Sequence, residues 1–373
     1  MIGWYTKQCE TVTVLDGIEK GIDKDMAVQK IVILYSPSAD DANDDEKDSE
    51  VQMAEVRDEL SAWELDVIPM ACTLNLAEIL QTLQTLKPAL VFNLVEAING
   101  QGRLAYLSQA LLDVSRIPYT GAGTNATFLT SNKLLAKDKL KAAGIPTARF
   151  FSLDALKQAP DAVAGRYIIK SVWEHASIGI GQDSIVDVTN TSALIEKMIA
   201  LQPRLSGECF AEAYIDGREF NISLLAGPGG PQVMPPAEIL FRDYSPNQFK
   251  ILDYTAKWKS DSAAYCNTPR SFDLSASDSP LLDQLKSIAL DCWQLFSLRG
   301  YARVDFRVDS AGQPFVLEIN TNPCISKDAG FIAACQQGGI QYKDVLRQII
   351  NDSGESAFPS IPSPLKRDSE IQR

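Results

Sequence analysis

Short apolar segments alternate with helical segments over the first 125 residues. The run IVILY at 31–35 is rich in β-branched residues and ends at a Ser-Pro-Ser turn. Strands that alternate with helices of about 10–15 residues indicate βαβ units and a parallel sheet. We therefore predict an α/β domain here. Its predicted strands are 31–35, 66–69, 89–94 and 116–121, and its predicted helices are 49–62, 76–86 and 104–115.

The pattern changes from residue 149 onward, where the predicted strands become longer and the helices fewer. This change predicts an α+β part after the α/β domain. A helix at 134–143, which ends at Gly144 with Pro146 beyond it, leads into this part. The other predicted elements are strands 167–171, 209–214, 219–225, 232–240, 301–308 and 314–319, and helices 191–201, 280–297 and 341–351.

Charge and composition exclude several classes of protein. The chain has 373 residues, and its 35 Lys and Arg against 48 Asp and Glu give a net charge of −13. Such an acidic chain is not typical of non-specific nucleic-acid binders, since it cannot neutralise phosphates. No stretch approaches the roughly 20 apolar residues that span a bilayer. The N-terminus lacks a signal-peptide pattern, and seven cysteines without a CxxC pair indicate reduced thiols. We predict a cytoplasmic protein.

The chain has one histidine, His175, which limits the chemistry available to it. Histidine-rich metal sites and HExxH zinc proteases are excluded. Any Ser-His-Asp or Cys-His nucleophile would need His175 itself, so acid–base work falls to carboxylates or lysines. The acidic segment at 40–50 predicts a solvated loop, with an amine-attracting lid as the alternative.

Acidic residues at 301–320 indicate a metal site. The two-residue period of a strand places Arg303 and Asp305 on one face of YARVDFRV, and it places Glu318 and Asn320 together on the next strand. Oxygen ligands on adjacent strands suit Mg²⁺, which commonly shares its coordination shell with phosphates. Arg303 beside them is suited to stabilise an oxyanion. The alternative is an ordinary sheet face with salt bridges.

A lysine and a small-residue loop follow the apolar strand YIIK. Lys170 closes this strand, where a lysine is costly unless it is paired with an anion. The next segment, SVWEHASIGIG, has backbone N–H groups that can cradle a phosphate, although no Walker motif is present. A plain hairpin is the alternative. Lys133 begins a helix, where a lysine is usually solvated, and Lys257 alone indicates nothing.

The segment CFAEAYIDGREF at 209–220 is suited to a nucleoside. Alternation places Phe210, Glu212 and Tyr214 on one face, and a turn and a second strand follow. A free strand edge can pair with adenine, and Glu219 can accept hydrogen bonds from a ribose. A β-hairpin without a ligand is the alternative.

Taken in order, these segments resemble the ATP-grasp superfamily and, within it, the D-alanine–D-alanine ligases. The resemblance extends over 31–350. It rests on IPYTGAG, the run SNKLLAKDKLKAAGIPT, ECFAEAYIDGREF, LDYTAKW, and ARVDFRV followed by LEINTNP.

The resemblance implies an N-terminal α/β domain before two halves that hold ATP between their sheets. The implied boundaries are an extension at 1–29, the N-terminal domain at 30–125, a central subdomain at 126–205, a C-terminal subdomain at 206–352 and a disordered tail at 353–373. The implied chemistry activates a carboxylate as an acyl phosphate, which an amine then attacks to give an amide, ADP and phosphate. Small-molecule carboxylate and amine partners and a homodimer are also implied.

The resemblance assigns roles to individual residues. Asp305, Glu318 and Asn320 are expected to bind two Mg²⁺ ions, with Mn²⁺ as an alternative. Arg303 is expected to stabilise the tetrahedral intermediate, and Lys257 and Ser177 to act with it on the phosphates. The other expected ATP contacts are Lys133, Lys170, Glu174, Glu212, Ala213, Tyr214, Ile215 and Glu219.

The positions that would hold D-alanine depart from the family pattern. The matching residues here are Glu96 for a histidine, Ala176 for a serine, Trp258 for a tyrosine and Ala329 for a second serine. Losing such partners leaves a substrate ammonium unpaired, which costs several kcal/mol. We therefore expect different substrates. Trp258 suggests a larger or more apolar acyl group, Glu96 an ammonium partner, and Arg103 or Lys327 a carboxylate partner, with structural salt bridges as the alternative for the last three.

Three functions remain open from the sequence. The first is an ATP-dependent carboxylate–amine ligase that acts on substrates other than D-alanine. The second is a D-alanine–D-alanine ligase with an altered pocket, and the third is a non-catalytic ATP-binding protein. The residues Arg303 and Lys257 argue against the third, because a pure binder needs no group for an oxyanion.

Overall fold

A computed structural model describes residues 29–38, 44–158, 163–175 and 177–353, and it describes side chains in the first helix from residue 48. Residues 1–28 of the predicted extension at 1–29 and residues 354–373 of the predicted tail at 353–373 lie outside the described residues, as does Ala176.

The first part of the chain forms the predicted parallel sheet. Strands β1 (Lys30–Tyr35), β2 (Asp66–Ala71) and β3 (Leu90–Leu94) pair in the order β2-β1-β3. Helices α1 (Asp44–Ser61), α2 (Leu76–Leu86) and α3 (Tyr106–Ser115) accompany them. All five residues of β3 are buried, as expected for a parallel strand that is covered on both faces.

Two predictions for this part were wrong. The strand expected at 116–121 is only an isolated bridge between Val91 and Tyr119. Pro118 has no N–H to extend a ladder, and Gly121 at φ +84° turns the chain away. The segment expected as a solvated loop at 40–50 is helical from Asp44 onward.

The remainder of the chain is α+β, as predicted. Its first group of elements is α4 (Thr124–Ser131), α5 (Lys133–Ala142), β4 (Phe150–Ser152), α6 (Leu153–Gln158), β5 (Gly165–Ser171), β6 (Ile185–Val188), α7 (Thr191–Leu201) and β7 (Cys209–Ala213). Its second group is β8 (Gly217–Leu225), β9 (Gln232–Val233), β10 (Ala237–Ile239), α8 (Tyr254–Trp258), α9 (Ala263–Cys266), β11 (Arg270–Ser271), α10 (Ser279–Leu295), β12 (Tyr301–Asp309), β13 (Pro314–Asn320), α11 (Gly330–Gln337) and α12 (Tyr342–Asn351).

Two antiparallel sheets carry these strands. The smaller sheet has the order β4-β7-β5-β6, and the larger has the order β11-β10-β8-β12-β13 with β9 beside β8. The single strand expected at 232–240 is divided into β9 and β10. Pro235 and Pro236 lie between these two strands, and a proline cannot donate to a ladder.

Helix α5 shows how local sequence places a functional side chain. Asn132 precedes the helix, and its side-chain oxygen accepts a hydrogen bond from the Leu135 N–H at 2.9 Å. This N-cap fixes where the helix begins. Lys133 and Lys137 then lie four residues apart on one face, and both are buried.

The apolar clusters link distant parts of the chain. One cluster packs α10 against the larger sheet, with Phe220, Val304 and Phe306 fully buried. Another joins Ile31 and Phe92 of the parallel sheet to residues of α11 and α12, such as Phe331 and Leu346. The N-terminal sheet therefore shares a core with the C-terminal helices. No helix in the described ranges is long and apolar enough to cross a membrane.

Candidate active site

A cavity of about 1250 Å³ lies where the three sheets meet. Side chains of the two antiparallel sheets, of α8 and of the loops after β1 and β3 form its wall. The predicted residues in the wall are Glu96, Lys133, Lys170, Glu174, Ser177, Glu212, Ala213, Tyr214, Ile215, Glu219, Lys257, Trp258, Arg303, Asp305, Glu318 and Asn320.

The predicted metal ligands meet on β12 and β13. In the antiparallel register Asp305 lies opposite Glu318, and Arg303 lies opposite Asn320. The Arg303 guanidinium donates to both Asp305 oxygens at 2.7 and 2.8 Å. The Asn320 amide donates to Asp305 at 3.0 Å, and Asn221 on β8 donates to it at 2.7 Å. These contacts orient one carboxylate from three neighbouring positions.

The donor chemistry of this cluster fits magnesium. Two carboxylates and an amide supply hard oxygen atoms on rigid strands, which is the ligand type that Mg²⁺ prefers. Burial raises the pKa of Glu318, but the charges of Lys133, Lys257 and Arg303 outweigh it, so the pKa lies below its usual range. The carboxylate is therefore ionised. The cluster has two carboxylates and an asparagine. Within the described residues, no group of three or more His, Cys, Asp or Glu side chains is arranged to hold a metal ion.

Two lysines share one buried carboxylate beside this cluster. Glu212 on β7 accepts hydrogen bonds from Lys137 and, at 2.7 Å, from Lys170. Its side chain is 1% exposed. Burial raises the pKa of Glu212, but the two ammonium groups outweigh burial and lower it. Glu212 therefore holds Lys170 at the cavity wall.

Lys133 connects α5 to the loop SVWEHASIGIG, which follows β5. Its ammonium donates to the Glu174 carbonyl at 2.6 Å and lies 3.9 Å from the Glu318 carboxylate. Burial lowers the pKa of Lys133. In the same loop Ser177 has φ +61°, and its hydroxyl donates to the Leu252 carbonyl at 2.7 Å. The loop is thus anchored on both sides.

The predicted nucleoside region lies at the start of β8. The Arg307 guanidinium donates to the Ile215 carbonyl at 2.9 and 3.1 Å and to the Glu219 carboxylate at 3.2 Å. Arg307 also lies over the Tyr214 ring, 5.8 Å from its centroid. Burial raises the pKa of Glu219 although Arg307 opposes it.

Helix α8 places Lys257 and Trp258 in the cavity wall. Asp253 caps this helix by accepting a hydrogen bond from the Ala256 N–H at 2.9 Å. Burial and the nearby charge of Arg303 lower the pKa of Lys257. The Lys257 ammonium lies 5.7 Å from the Trp258 ring centroid.

Glu96 and Asp48 form an acidic end of the cavity. The Glu96 carboxylate accepts a hydrogen bond from the Gln52 amide at 3.4 Å. The side chain is accessible where it faces the cavity, although protein atoms surround it. Burial and the charge of Asp48 raise the pKa of Glu96 to about 7, although Gln52, Lys257 and Arg303 act in the opposite direction. Burial also raises the pKa of Asp48.

Two predicted substrate residues lie outside the cavity wall. The Arg103 guanidinium donates to the Gln101 side chain at 2.9 Å. The Lys327 ammonium lies over the Tyr342 ring at 5.4 Å, while its backbone N–H donates to Glu55 at 2.6 Å. These placements do not support a substrate role for Arg103 or Lys327. Each side chain has an intramolecular partner instead.

Several residues in the wall or directly behind it escaped the sequence analysis. Lys137 could have been found from its spacing of four residues after Lys133 in a predicted helix. Asn221 could have been found from the two-residue period of β8, because it lies two residues after Glu219 and therefore on the same face. Asp48 belongs to the acidic segment at 40–50, for which an amine-attracting lid was the alternative prediction. No local signal marks Arg270, because it reaches the wall only through tertiary packing.

His175 lines the cavity next to Glu174, within the loop SVWEHASIGIG. Its Nδ1 atom is buried and has no hydrogen-bond partner in the described part of the chain. Burial and the charge of Lys133 lower the pKa of His175 to about 3. The imidazole is therefore neutral near pH 7 and cannot supply a positive charge to the site.

Comparisons with known proteins give a consistent picture. A family model described as "D-ala D-ala ligase C-terminus" matches residues 140–351. An uncharacterized protein of Sinorhizobium fredii is 28% identical over 262 residues, which cover 70% of this chain and 74% of that protein. A D-alanine–D-alanine ligase of Pseudoalteromonas translucida is 29% identical over 262 residues, 69% of this chain and 78% of the relative.

Solved structures agree in fold. The D-alanine–D-alanine ligase of Bacillus anthracis complexed with ATP has a TM-score of 0.63 and 19% identity, and the match covers 87% of this chain and 97% of the other. The D-alanyl-alanine synthetase A of Vibrio cholerae has a TM-score of 0.64 and 17% identity, with coverage of 87% and 98%. The fold predicted from the sequence motifs is confirmed.

Proposed function

The chain belongs to the D-alanine–D-alanine ligase family of ATP-grasp enzymes, which form carbon–nitrogen bonds, and from this premise we propose that it joins a carboxylate other than D-alanine to an amine. One observation carries the proposal. The residues expected to bind ATP and metal all lie in one cavity wall, whereas the positions expected to hold D-alanine carry different side chains.

One end of the cavity, lined by Lys133, Lys170, Lys257 and the predicted metal ligands, is suited to ATP and is called the phosphate end. Lys133, Lys170 and Lys257 bring three positive groups to a wall that is largely removed from water. Positive groups in such a site stabilise the charge of a transferring phosphoryl group. Asp305, Glu318 and Asn320 would hold Mg²⁺, which would neutralise phosphate charge when bound.

The reaction has two steps. A carboxylate oxygen of the first substrate attacks the γ-phosphorus of ATP, and ADP leaves as the acyl phosphate forms. The amine nitrogen then attacks the acyl carbon, phosphate leaves, and the nitrogen loses a proton. Arg303, held by Asp305, is placed to stabilise the negative oxygen that develops on the carbon.

The other end of the cavity supports a different acyl substrate. Trp258 presents a large apolar ring, and Ala329 has no hydroxyl to offer a carboxylate. Glu96 can pair with a substrate ammonium when it is ionised. A site that lacks the hydrogen-bond partners of a charged head group rejects that group strongly.

The proposal is tested by ADP release from the protein with Mg-ATP and panels of D- and L-amino acids and small carboxylic acids, with mass spectrometry of products. We expect ADP with particular pairs only, and a product whose mass equals the pair minus water. D-Alanine supplied alone should give at most a small fraction of that rate. A preference for D-alanine alone would support a D-alanine–D-alanine ligase instead. ATP binding without turnover for any pair would support the non-catalytic function.

A further inference from the structure

His175 lies at the phosphate end of the cavity, in the loop SVWEHASIGIG. Besides burial, the charges that act on its imidazole are those of Lys133, Glu318, Lys257 and Arg303. The proposed function places all four of these residues around the reacting phosphoryl and acyl groups. The imidazole therefore lies where those groups would meet, although none of the motifs that carry the family resemblance includes it.

The protein encloses the two sides of the imidazole ring. On one side, a Cβ atom added at Gly102 would lie 3.9 Å from His175 Cδ2 and 3.2 Å from the Trp173 carbonyl oxygen. On the other side, Nδ1 is buried and has no hydrogen-bond partner among the described residues. Because Cδ2 and Nδ1 both flank Cγ, the end of the ring that carries Nε2 is left to face the cavity that His175 lines.

The burial of Nδ1 also bears on where the ring proton lies. A neutral imidazole has one N–H donor and one acceptor nitrogen. Buried N–H groups without a partner are rarer in folded proteins than unpaired acceptors, which favours the proton on Nε2 and the lone pair on Nδ1. Nε2 then offers an N–H group to a ligand in the cavity. Since the ring is neutral, this donor adds no net charge to a wall that already has several cationic side chains.

We propose that the Nε2–H group of His175 donates a hydrogen bond to an oxygen of the phosphoryl group, first in ATP and then in the acyl phosphate. The inference rests on the proposed ligase function. The phosphoryl group is the reacting group that is present in both steps, and its oxygens stay negatively charged throughout. A preorganised neutral donor stabilises that charge, and it holds the phosphate product less tightly than a further cation would.

The single histidine of the chain makes a direct test possible. Protein made with nitrogen-15-labelled histidine, and without a histidine tag, gives one pair of ring-nitrogen resonances. We expect the chemical shifts of a neutral ring that is protonated on Nε2. Mg²⁺ with a non-hydrolysable ATP analogue should move the Nε2 resonance more than the Nδ1 resonance. Mg-ADP, which lacks the γ-phosphate, should leave the Nε2 resonance near its starting position.

Two substitutions separate hydrogen bonding from packing of the ring. The side-chain amide nitrogen of His175→Gln lies about where Nε2 lies, and that of His175→Asn lies about where Nδ1 lies. We expect His175→Asn to lower kcat/KM for ATP by about 10- to 100-fold, the range for a hydrogen bond to a charged group. His175→Gln should keep most of the wild-type value. ADP release with the preferred substrate pair measures both.

The matched control compares the same two side chains at another place. Gln336→Asn alters an exposed position of α11 outside the cavity wall, and it should keep the wild-type kcat/KM for ATP. Urea denaturation should give similar free energies of unfolding for His175→Gln and His175→Asn. A difference in kcat/KM between these two variants then reports the position of the donor and not the stability of the loop.

Three results would overturn the inference. One is a ring that carries its proton on Nδ1. Another is an Nε2 resonance that moves equally with Mg-ADP and with the ATP analogue. The third is equal kcat/KM for His175→Gln and His175→Asn, which would leave the ring only a packing role or none. Failure of the ligase function reads differently, because no amide would form with any pair while the comparison of the two nucleotides would still test the contact.

Discussion

The two ends of the cavity differ in how their charges are paired. At the phosphate end Glu212 binds two lysines, Asp305 accepts from three side chains, and Lys133 is tied to a backbone carbonyl. At the other end Glu96 has one long hydrogen bond, and Arg270 has none among the described residues. Under the proposed function, the groups that would hold ATP are fixed in advance by their partners. The groups that would select the substrates keep few partners within the protein.

The largest expected effect is on stability and follows from breaking the buried ion pair of Lys137 and Glu212. Lys137→Met should lower the free energy of unfolding by about 3 kcal/mol, because Glu212 keeps only Lys170 in a buried setting. Urea denaturation measures this change. Lys141→Met, an exposed position of the same helix, should change it by less than about 0.5 kcal/mol. Equal effects of the two variants would contradict the role of Lys137.

The second-largest expected effect follows from removing Arg303, the group proposed to stabilise the oxyanion. Arg303→Met should lower kcat by about 100-fold, since one preorganised donor to a developing oxyanion contributes this much. Steady-state ADP release with the preferred substrate pair measures it, and ATP affinity from calorimetry should fall far less. Comparable losses in ATP affinity and in kcat would assign Arg303 to nucleotide binding instead.

The activity should depend on pH through Glu96, at the acidic end of the cavity. Glu96 is protonated below its pKa of about 7 and ionised above it. An ammonium partner is therefore held only at the higher pH, and kcat/KM should rise as pH increases through about 7. Glu96→Gln should remove this rise and lower kcat/KM at about pH 8 by about 10-fold. Glu196→Gln, at an exposed position of α7, serves as the control and should retain the rise.

The smallest expected effect concerns the neighbour of Glu96. Gln52 donates to Glu96, and it also accepts from the Ile325 N–H at 2.6 Å. Gln52→Leu removes a hydrogen bond that lowers the pKa of Glu96, so the midpoint of the pH profile should move upward by about half a unit. The profile of kcat/KM against pH reports it. A downward movement would mean that Gln52 does not stabilise the ionised carboxylate.

The sequence predicted the paired strands that carry Asp305 and Glu318, because alternation alone fixes which side chains share a face. Asp305 and Glu318 could be placed together from this two-residue period. Glu212 could not be linked to Lys137, since the two are 75 positions apart. Arg270 was also missed, because its setting depends on Arg303 and on the start of α11. The prolines at 235 and 236 were a readable signal for the break in the predicted strand.

The shared core of the parallel sheet and the C-terminal helices has a consequence for synthesis of the chain. Ile31 and Phe92 are buried partly by Phe331 and Leu346. When the ribosome has made only the N-terminal α/β part, one face of the sheet still lacks some of its cover. That face keeps apolar surface in contact with water until α12 emerges, late in translation. We therefore expect the nascent N-terminal part to bind a chaperone that recognises apolar surface.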